Sequence, residues 1–333
     1  MARIKEVAER AGVSTATVSR VINESSNVSP HLRERVLAAI AELHYSPSRL
    51  ARHLRSQSTR TIGLIISDIQ NPFFTSLVRG VEDVAYQNGY SILLCNADED
   101  PTKEQLYVEV LRAERVAGAI VACTSETCCQ ALLEFYLTWV AVDRRVSGRE
   151  VDTVVVDNVA GARQAVLHLL DLGHRRIGLI GGPVTVTTGR ERLDGYLAAF
   201  AERGLPVPAD LLLSGDFKEA SGHRLASELL ARPDPPTALF IANNLMTMGA
   251  LQALQEHAVR IPQDISVVGF DDVPWMSLLQ PPLTTVRQPT YQIGKEAAEL
   301  LFRRLREGPQ KPTESIVLQP ELIIRGSTAA PVS

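Results

Sequence analysis

From Thr61 onward, short aliphatic runs alternate with longer amphipathic stretches, and few architectures accept that alternation. TIGLII, YSILLC, GAIVAC, WVAVD, TVVVD, RIGLIGG, TALFIA and ISVVGF are each apolar almost throughout. Runs of that kind suit strands covered on both faces. Between them, stretches such as VAGARQAVLHLLDLG and MGALQALQEHAV repeat apolar residues at helical spacing. Strand and helix in turn predict an α/β body with parallel sheets. The body is about 270 residues long, more than one sheet comfortably organises, so two doubly wound lobes are expected.

Aromatic residues are only 5% of the chain, so the cores must be aliphatic. No apolar stretch approaches the roughly 20 residues that span a bilayer. The opening MARIKEVAERAGVS is polar and patterned, unlike a signal peptide, and a cytoplasmic, membrane-free protein is expected. Cys128 and Cys129 are adjacent, while Cys95 and Cys123 end apolar runs. With no CxxC pair and no histidine at ligand spacing, no metal site is expected, and the thiols read as core or loop residues.

Charge is unevenly distributed. Residues 1–60 hold ten Lys or Arg against five Asp or Glu, whereas the remainder holds 24 against 33. A basic head on an acidic body points to a polyanion that meets only the head.

The head is helical. Ile4, Val7, Ala8 and Ala11 share one helix face, and Gly12 supplies a left-handed stop. Ser14 then stands as the N-cap of a second helix running to about Asn23, which buries Val18, Val21 and Ile22. Two helices joined so tightly form a helix-turn-helix. Thr15, Ala16, Ser19, Arg20 and Asn23 face outward, small at the leading end. Such a helix end fits a DNA major groove about 12 Å wide, where a guanidinium grips guanine O6 and N7 with two bonds. Ser14, Thr17 and Asn23 suit phosphate contacts, which set register. A third helix starts at Ser29 and Pro30, with Val36, Leu37, Ile40 and Leu43 inward. SPSRLARHLRS then repeats the Ser-Pro start for a hinge helix over about 47–55. It sets Ala51 and Leu54 among Arg49, Arg52 and Arg55, a pattern suited to a minor groove, or alternatively to a linker packed on the next domain.

IKEVAERAGVSTATVSRVIN followed by HYSPSRLARHLRS closely resembles the LacI/GalR family of bacterial transcription regulators, and the resemblance extends along essentially the whole chain. It implies a DNA-binding head over 1–58 and an effector-binding, dimerising body over 60–328. The implied lobes are about 60–157 plus 287–316, and about 158–284 plus 317–328, in the manner of periplasmic sugar-binding proteins. It also implies base contacts from Thr15, Ala16 and Arg20, and a Leu54 pair that pries open a central CpG step. The implied partners are a pseudopalindromic operator, a small effector and a second copy of the chain. The final IIRGSTAAPVS is neither apolar nor heptad-periodic, so a dimer is expected rather than a tetramer.

Ligands of open α/β sheets sit beyond the strands' C-terminal ends. Residues there are Asp68, Asn71 and Phe73; Asp143 and Arg144; Arg192; Phe217; Asn243; Asp271; and Gln288. The family resemblance implies effector contacts at Phe73, Asp143, Arg192, Phe217, Asn243 and Asp271. Carboxylates and a forked arginine read hydroxyls, and phenylalanine rings offer flat apolar faces. Asp68 and Asp272 are equally readable as helix caps, Arg192 as part of an ion pair, and Phe217 as core. A sugar or polyol is expected, with a nucleoside or purine, or a phosphorylated protein corepressor, as alternatives. Many family members carry aspartate where this chain has Asn244. GLIGGP is not GxGxxG, and neither GxxxxGK[ST] nor GxSxG occurs, so no cofactor and no enzymatic activity are expected. A solute-binding protein is the rival class, opposed by the basic head.

Overall fold

The computed structural model describes residues 4–22, 28–45, 59–124, 131–132, 134, 137–146, 150–308 and 312–332. The chain forms two compact units, Met1–Thr59 and Arg60–Ser333.

In the first unit, α1 (Ile4–Ala11), α2 (Thr15–Ile22) and α3 (Pro30–Glu42) enclose Val7, Ala8, Ala11, Val18, Val21, Val36 and Ala39. Ile22, Ile40 and Leu43 pack around that core. Leu37 was expected inside but is 51% exposed. Val36, Ala39, Ile40 and Leu43 already complete the inward stripe, and Leu37 lies about 100° around the helix from Val36. Gly12 closes α1 at φ +63°, and a Cβ there would meet Arg35 Nη2 at 2.5 Å. That Arg35 nitrogen donates to the Ala11 carbonyl at 2.6 Å, satisfying an acceptor at the end of α1.

The second unit holds two six-stranded sheets. In chain order, the first lobe contains β1 (Thr61–Ile66), α4 (Pro72–Gln87), β2 (Ser91–Asn96), α5 (Pro101–Ala113), β3 (Ala119–Val121), β4 (Trp139–Val142) and β5 (Thr153–Val156). The second contains α6 (Asn158–Asp171), β6 (Ile177–Gly181), α7 (Thr187–Glu202), β7 (Leu212–Ser214), α8 (Glu219–Leu230), β8 (Ala238–Ile241), α9 (Asn244–Glu256), β9 (Ser266–Phe270) and β10 (Thr284–Arg287). The chain then recrosses into α10 (Thr290–Glu307), packed on α4, and β11 (Ser315–Leu318), which pairs with β5. It returns once more with β12 (Glu321–Ile323), antiparallel to β10. The sheet orders are β11-β5-β4-β3-β1-β2 and β12-β10-β9-β8-β6-β7. All pairings except β10–β12 are parallel.

The inner strands are buried along almost their whole length, as continuous aliphatic runs require, and helices cover both faces of each sheet. Each fully buried Val, Leu or Ile contributes roughly 1.5–3 kcal/mol. YSILLC departs from that expectation. As β2 it lies at a sheet edge, and Leu94 is 38% exposed. Where the chain crosses between lobes, the Asp157 amide donates to the Leu318 carbonyl at 3.0 Å, tying the first crossing to the third. Among the described residues, no helix is long and apolar enough to cross a membrane.

Candidate functional site

Two regions carry functional side chains. In the head, Ser14 Oγ accepts from the Thr17 amide at 3.1 Å and lies 3.0 Å from Thr17 Oγ1. This cap starts α2 and leaves Thr15, Ala16 and Arg20 exposed on one side, with Thr17 half-buried. Beneath them Val18 and Val21 fix the helix to α1 and α3. Asn23, Ala51 and Leu54, with the hinge helix over about 47–55, lie outside the described residues.

In the body, the ends of strands from both sheets converge on a narrow cavity of about 30 Å³. Asn71, Phe73, Phe74 and Glu99 line it, as do Asp143 and Arg144. The second lobe adds Thr188, Arg192, Phe217, Asn243 and Asp271, and the recrossing segment adds Gln288. Asp68 is the correction to the sequence reading: it is buried but does not line the cavity. Its Oδ1 accepts from the Gln70 amide at 2.9 Å, and Oδ2 meets Lys218 Nζ at 2.6 Å. The carboxylate is spent on a turn and an ion pair. Asp272 likewise caps no helix; it binds Arg325, Arg287 and Thr285.

Phe74, Glu99 and Thr188 are cavity residues that the sequence reading missed. The strand-end rule that found Asp143 also points to Glu99, three residues beyond β2. Phe74 adjoins Phe73, and Thr188 lies in the first turn of α7.

Backbone strain marks the site. Glu99, Asp143, Phe217 and Asp271 all have positive φ, at 58°, 66°, 67° and 73°. Non-glycine residues rarely adopt that region, and each such residue costs on the order of 1–3 kcal/mol. The conformation turns side chains at the strand ends into the cavity. Phe217 fits because Gly182 leaves room; a Cβ at Gly182 would lie 2.1 Å from its ring. The third glycine of GLIGGP thus serves an aromatic plate.

Few polar groups remain unspent. Glu99 grips Arg144 with two bonds, at 2.8 and 2.5 Å. Arg192 donates to Asn158 Oδ1 at 2.9 Å and to the Ala242 carbonyl at 2.5 Å, and stacks 3.9 Å above the Phe270 ring. Asn243 caps α9 through the Met246 amide and holds the Phe217 carbonyl. Asn71 Oδ1 accepts from the Phe73 amide and, across the cleft, from Asn244 Nδ2 at 2.8 Å. Arg144 Nε stops 3.7 Å from Asp143 Oδ2 and has no hydrogen-bond partner among the described residues. Asp143 therefore offers its carboxylate to the cavity. Burial pushes its pKa up to about 6, against the pull of Arg144 and Arg192. Asp271 is also raised by burial, opposed by Arg192, Gln288 and the Asn244 amide. Among the described residues, no group of three or more His, Cys, Asp or Glu could hold a metal ion.

Comparison with known proteins agrees with this architecture. Residues 3–48 match the model of "Bacterial regulatory proteins, lacI family", and residues 166–328 match the "Periplasmic binding protein-like domain". The chain is 37% identical to the HTH-type transcriptional repressor PurR of Mannheimia succiniciproducens, over 98% of each chain. It is 39% identical to the ribose operon repressor of Escherichia coli K12, over 98% of this chain and 100% of that one. A crystal structure of the lac repressor dimer, bound to operator and an anti-inducer, superposes with a TM-score of 0.86 at 30% identity, covering 99% of both chains. With these relatives along its full length, the chain belongs to the lacI family of bacterial regulatory proteins, and it is a transcription regulator rather than an enzyme.

Proposed function

We propose that this regulator is a dimeric, cytoplasmic repressor that grips a pseudopalindromic operator and is controlled by a small uncharged molecule rich in hydroxyl groups. The observation that carries the effector assignment is the state of the two cleft arginines. Arg144 is neutralised by Glu99, and Arg192 is committed to Asn158, Ala242 and Phe270. Glu99, Asp143 and Asp271 outnumber those two guanidinium groups in the lining. An anionic ligand would add charge to a site already short of cations, whereas sugar hydroxyls can donate to Asp143 and Asp271.

A purine is the second reading, favoured by the flat faces of Phe73 and Phe217 and by the relative named as a PurR repressor. A ligand that fits only one lobe arrangement shifts the balance between arrangements and so changes operator affinity. The sequence-based role for the head stands beside this. Arg20, Thr15 and Ala16 read bases, Ser14, Thr17 and Asn23 fix register, and Ala51 and Leu54 work in the minor groove.

A thermal-shift panel of neutral aldoses, their phosphate esters and purine bases tests the effector assignment. Stabilisation by a neutral aldose and not by its phosphate ester supports it. Stabilisation by purines alone selects the second reading, and a phosphate ester as the best ligand would overturn the charge argument.

A further inference from the structure

We propose that Lys218 is an electrostatic tether that holds the two lobes closed over an effector it does not touch. This rests on the reading of the cleft as the effector site. Lys218 belongs to the second lobe and lies outside the cavity lining. Its Nζ reaches two carboxylates of the first lobe, Asp68 Oδ2 at 2.6 Å and Asp98 Oδ1 at 2.7 Å.

All three groups are held in place from behind. The Lys218 amide donates to Asp216 Oδ1 at 2.9 Å, and its carbonyl accepts from Ser221 Oγ at 2.9 Å. Asp68 is fixed by the Gln70 amide, and its side chain is only 6% exposed. Asp98 lies on a left-handed pair with Glu99, at φ 56° and 58°. Through these anchors the ammonium joins two pieces of the cavity wall. Phe217 precedes Lys218, and Glu99, the partner of Arg144, follows Asp98.

Opening the cleft has a specific cost here. Two carboxylates within reach of one nitrogen are neighbours, and separation from Lys218 leaves them to repel each other. Among the described residues, the cation still paired with them is Lys103, 3.4 Å from Asp98 Oδ2. The bond to Lys218 also holds the Asp98 carboxyl below its ordinary range. Of the other bonds across the cleft, Asn244 to Asn71 at 2.8 Å and the Arg145 amide to Thr187 Oγ1 at 3.0 Å are neutral hydrogen bonds, weaker than charge-assisted ones, and the ion pair of Arg145 Nε with Glu191 Oε1 is longer, at 3.4 Å. A ligand that needs the closed form binds with an apparent affinity scaled by the closed fraction. Lys218 thereby sets effector affinity at a distance.

The test uses the full chain, as wild type, Lys218→Met, Lys218→Arg and Lys218→Met with Asp98→Asn. Hydrogen exchange is read at the Phe73 and Asn244 amides, and D-ribose affinity by calorimetry in low and high salt. Lys218→Met is expected to speed exchange at both remote amides and weaken D-ribose about threefold to tenfold. Wild type should lose a larger factor in high salt than Lys218→Met, which keeps only the longer Arg145–Glu191 pair across the cleft. Lys218→Arg should keep most of the wild-type behaviour, and adding Asp98→Asn should cost nothing more. Unchanged exchange in Lys218→Met overturns the tether, whatever the sugar does. If no variant binds D-ribose, exchange alone decides the tether, and what fails is D-ribose as the sugar that this cleft takes.

Discussion

The side-chain amide of Gln288 donates to the Asp271 carboxylate at 2.5 Å. Gln288 lies between β10 of the second lobe and α10 of the first, so a cleft carboxylate and a crossing segment share one bond. The other Asp271 oxygen accepts from the Asn244 amide at 3.3 Å. A ligand held by Asp271 and Arg192 would thus act on the segment about which the lobes move. Arg192→Ala and Asp271→Ala should each weaken effector binding about tenfold to hundredfold, the worth of a charge-assisted bond. Operator binding without effector should persist, because neither residue lies in the head. A normal effector response in both variants, in a gel-shift titration, would mean that the site is elsewhere.

Asp143 makes stability depend on pH. Its folded-state pKa of about 6 is above the ordinary value of 3.8, so its contribution is fully present below the ordinary value and is lost as pH rises through about 6. Asp143→Asn removes that loss. The variant should gain on the order of 2–3 kcal/mol over the parent at pH 8 and little at pH 4, read by urea unfolding at each pH. It should also lose effector affinity at pH 8, where the carboxylate accepts ligand hydroxyls. An equal stability difference at both pH values would contradict the assigned titration.

The elements legible in the sequence were those whose residues are chosen by burial alone. The aliphatic runs of β1, β3, β4, β5, β8 and β9 and the Gly12 turn depend on local pattern. Exposure of β2 depends on sheet order, which YSILLC does not encode. The short strands β7, β11 and β12 mix polar and apolar residues, so only their pairing identifies them. Within the cleft, strand-end position brought out Asp143 and Asp271, and a place near a helix start brought out Arg192. Neither pattern distinguishes a carboxylate facing a ligand from one facing a lysine about 150 residues away in sequence, which is the case of Asp68.

Arg20 is exposed on α2 beside Thr15 and Ala16, as a base-reading side chain must be. Arg20→Ala should cost about 1–3 kcal/mol and relax the preference at one base pair in each half-site. Quantitative gel shifts on a set of single-base operator variants measure this. Equal weakening on every duplex would make Arg20 a phosphate contact.

Leu54 lies outside the described residues, and its role is read from the sequence. An apolar side chain on a helix of barely two turns should order only on DNA, and its insertion should kink the duplex. Leu54→Ala is expected to remove much of the bend while sequence-dependent binding through Thr15 and Arg20 survives. Circular-permutation gel shifts report the angle; the same angle in both proteins leaves Leu54 as a packing residue.

The most direct measurement is fluorescence anisotropy on a duplex that the full chain selects from a random pool, titrated with D-ribose and, separately, with guanine. The account predicts a pseudopalindromic selected site, a change in its affinity of about tenfold or more with one of the two ligands, and loss of that change, but not of DNA binding, in Asp271→Ala. Failure to enrich any sequence, or a ligand response that survives Asp271→Ala, would contradict it.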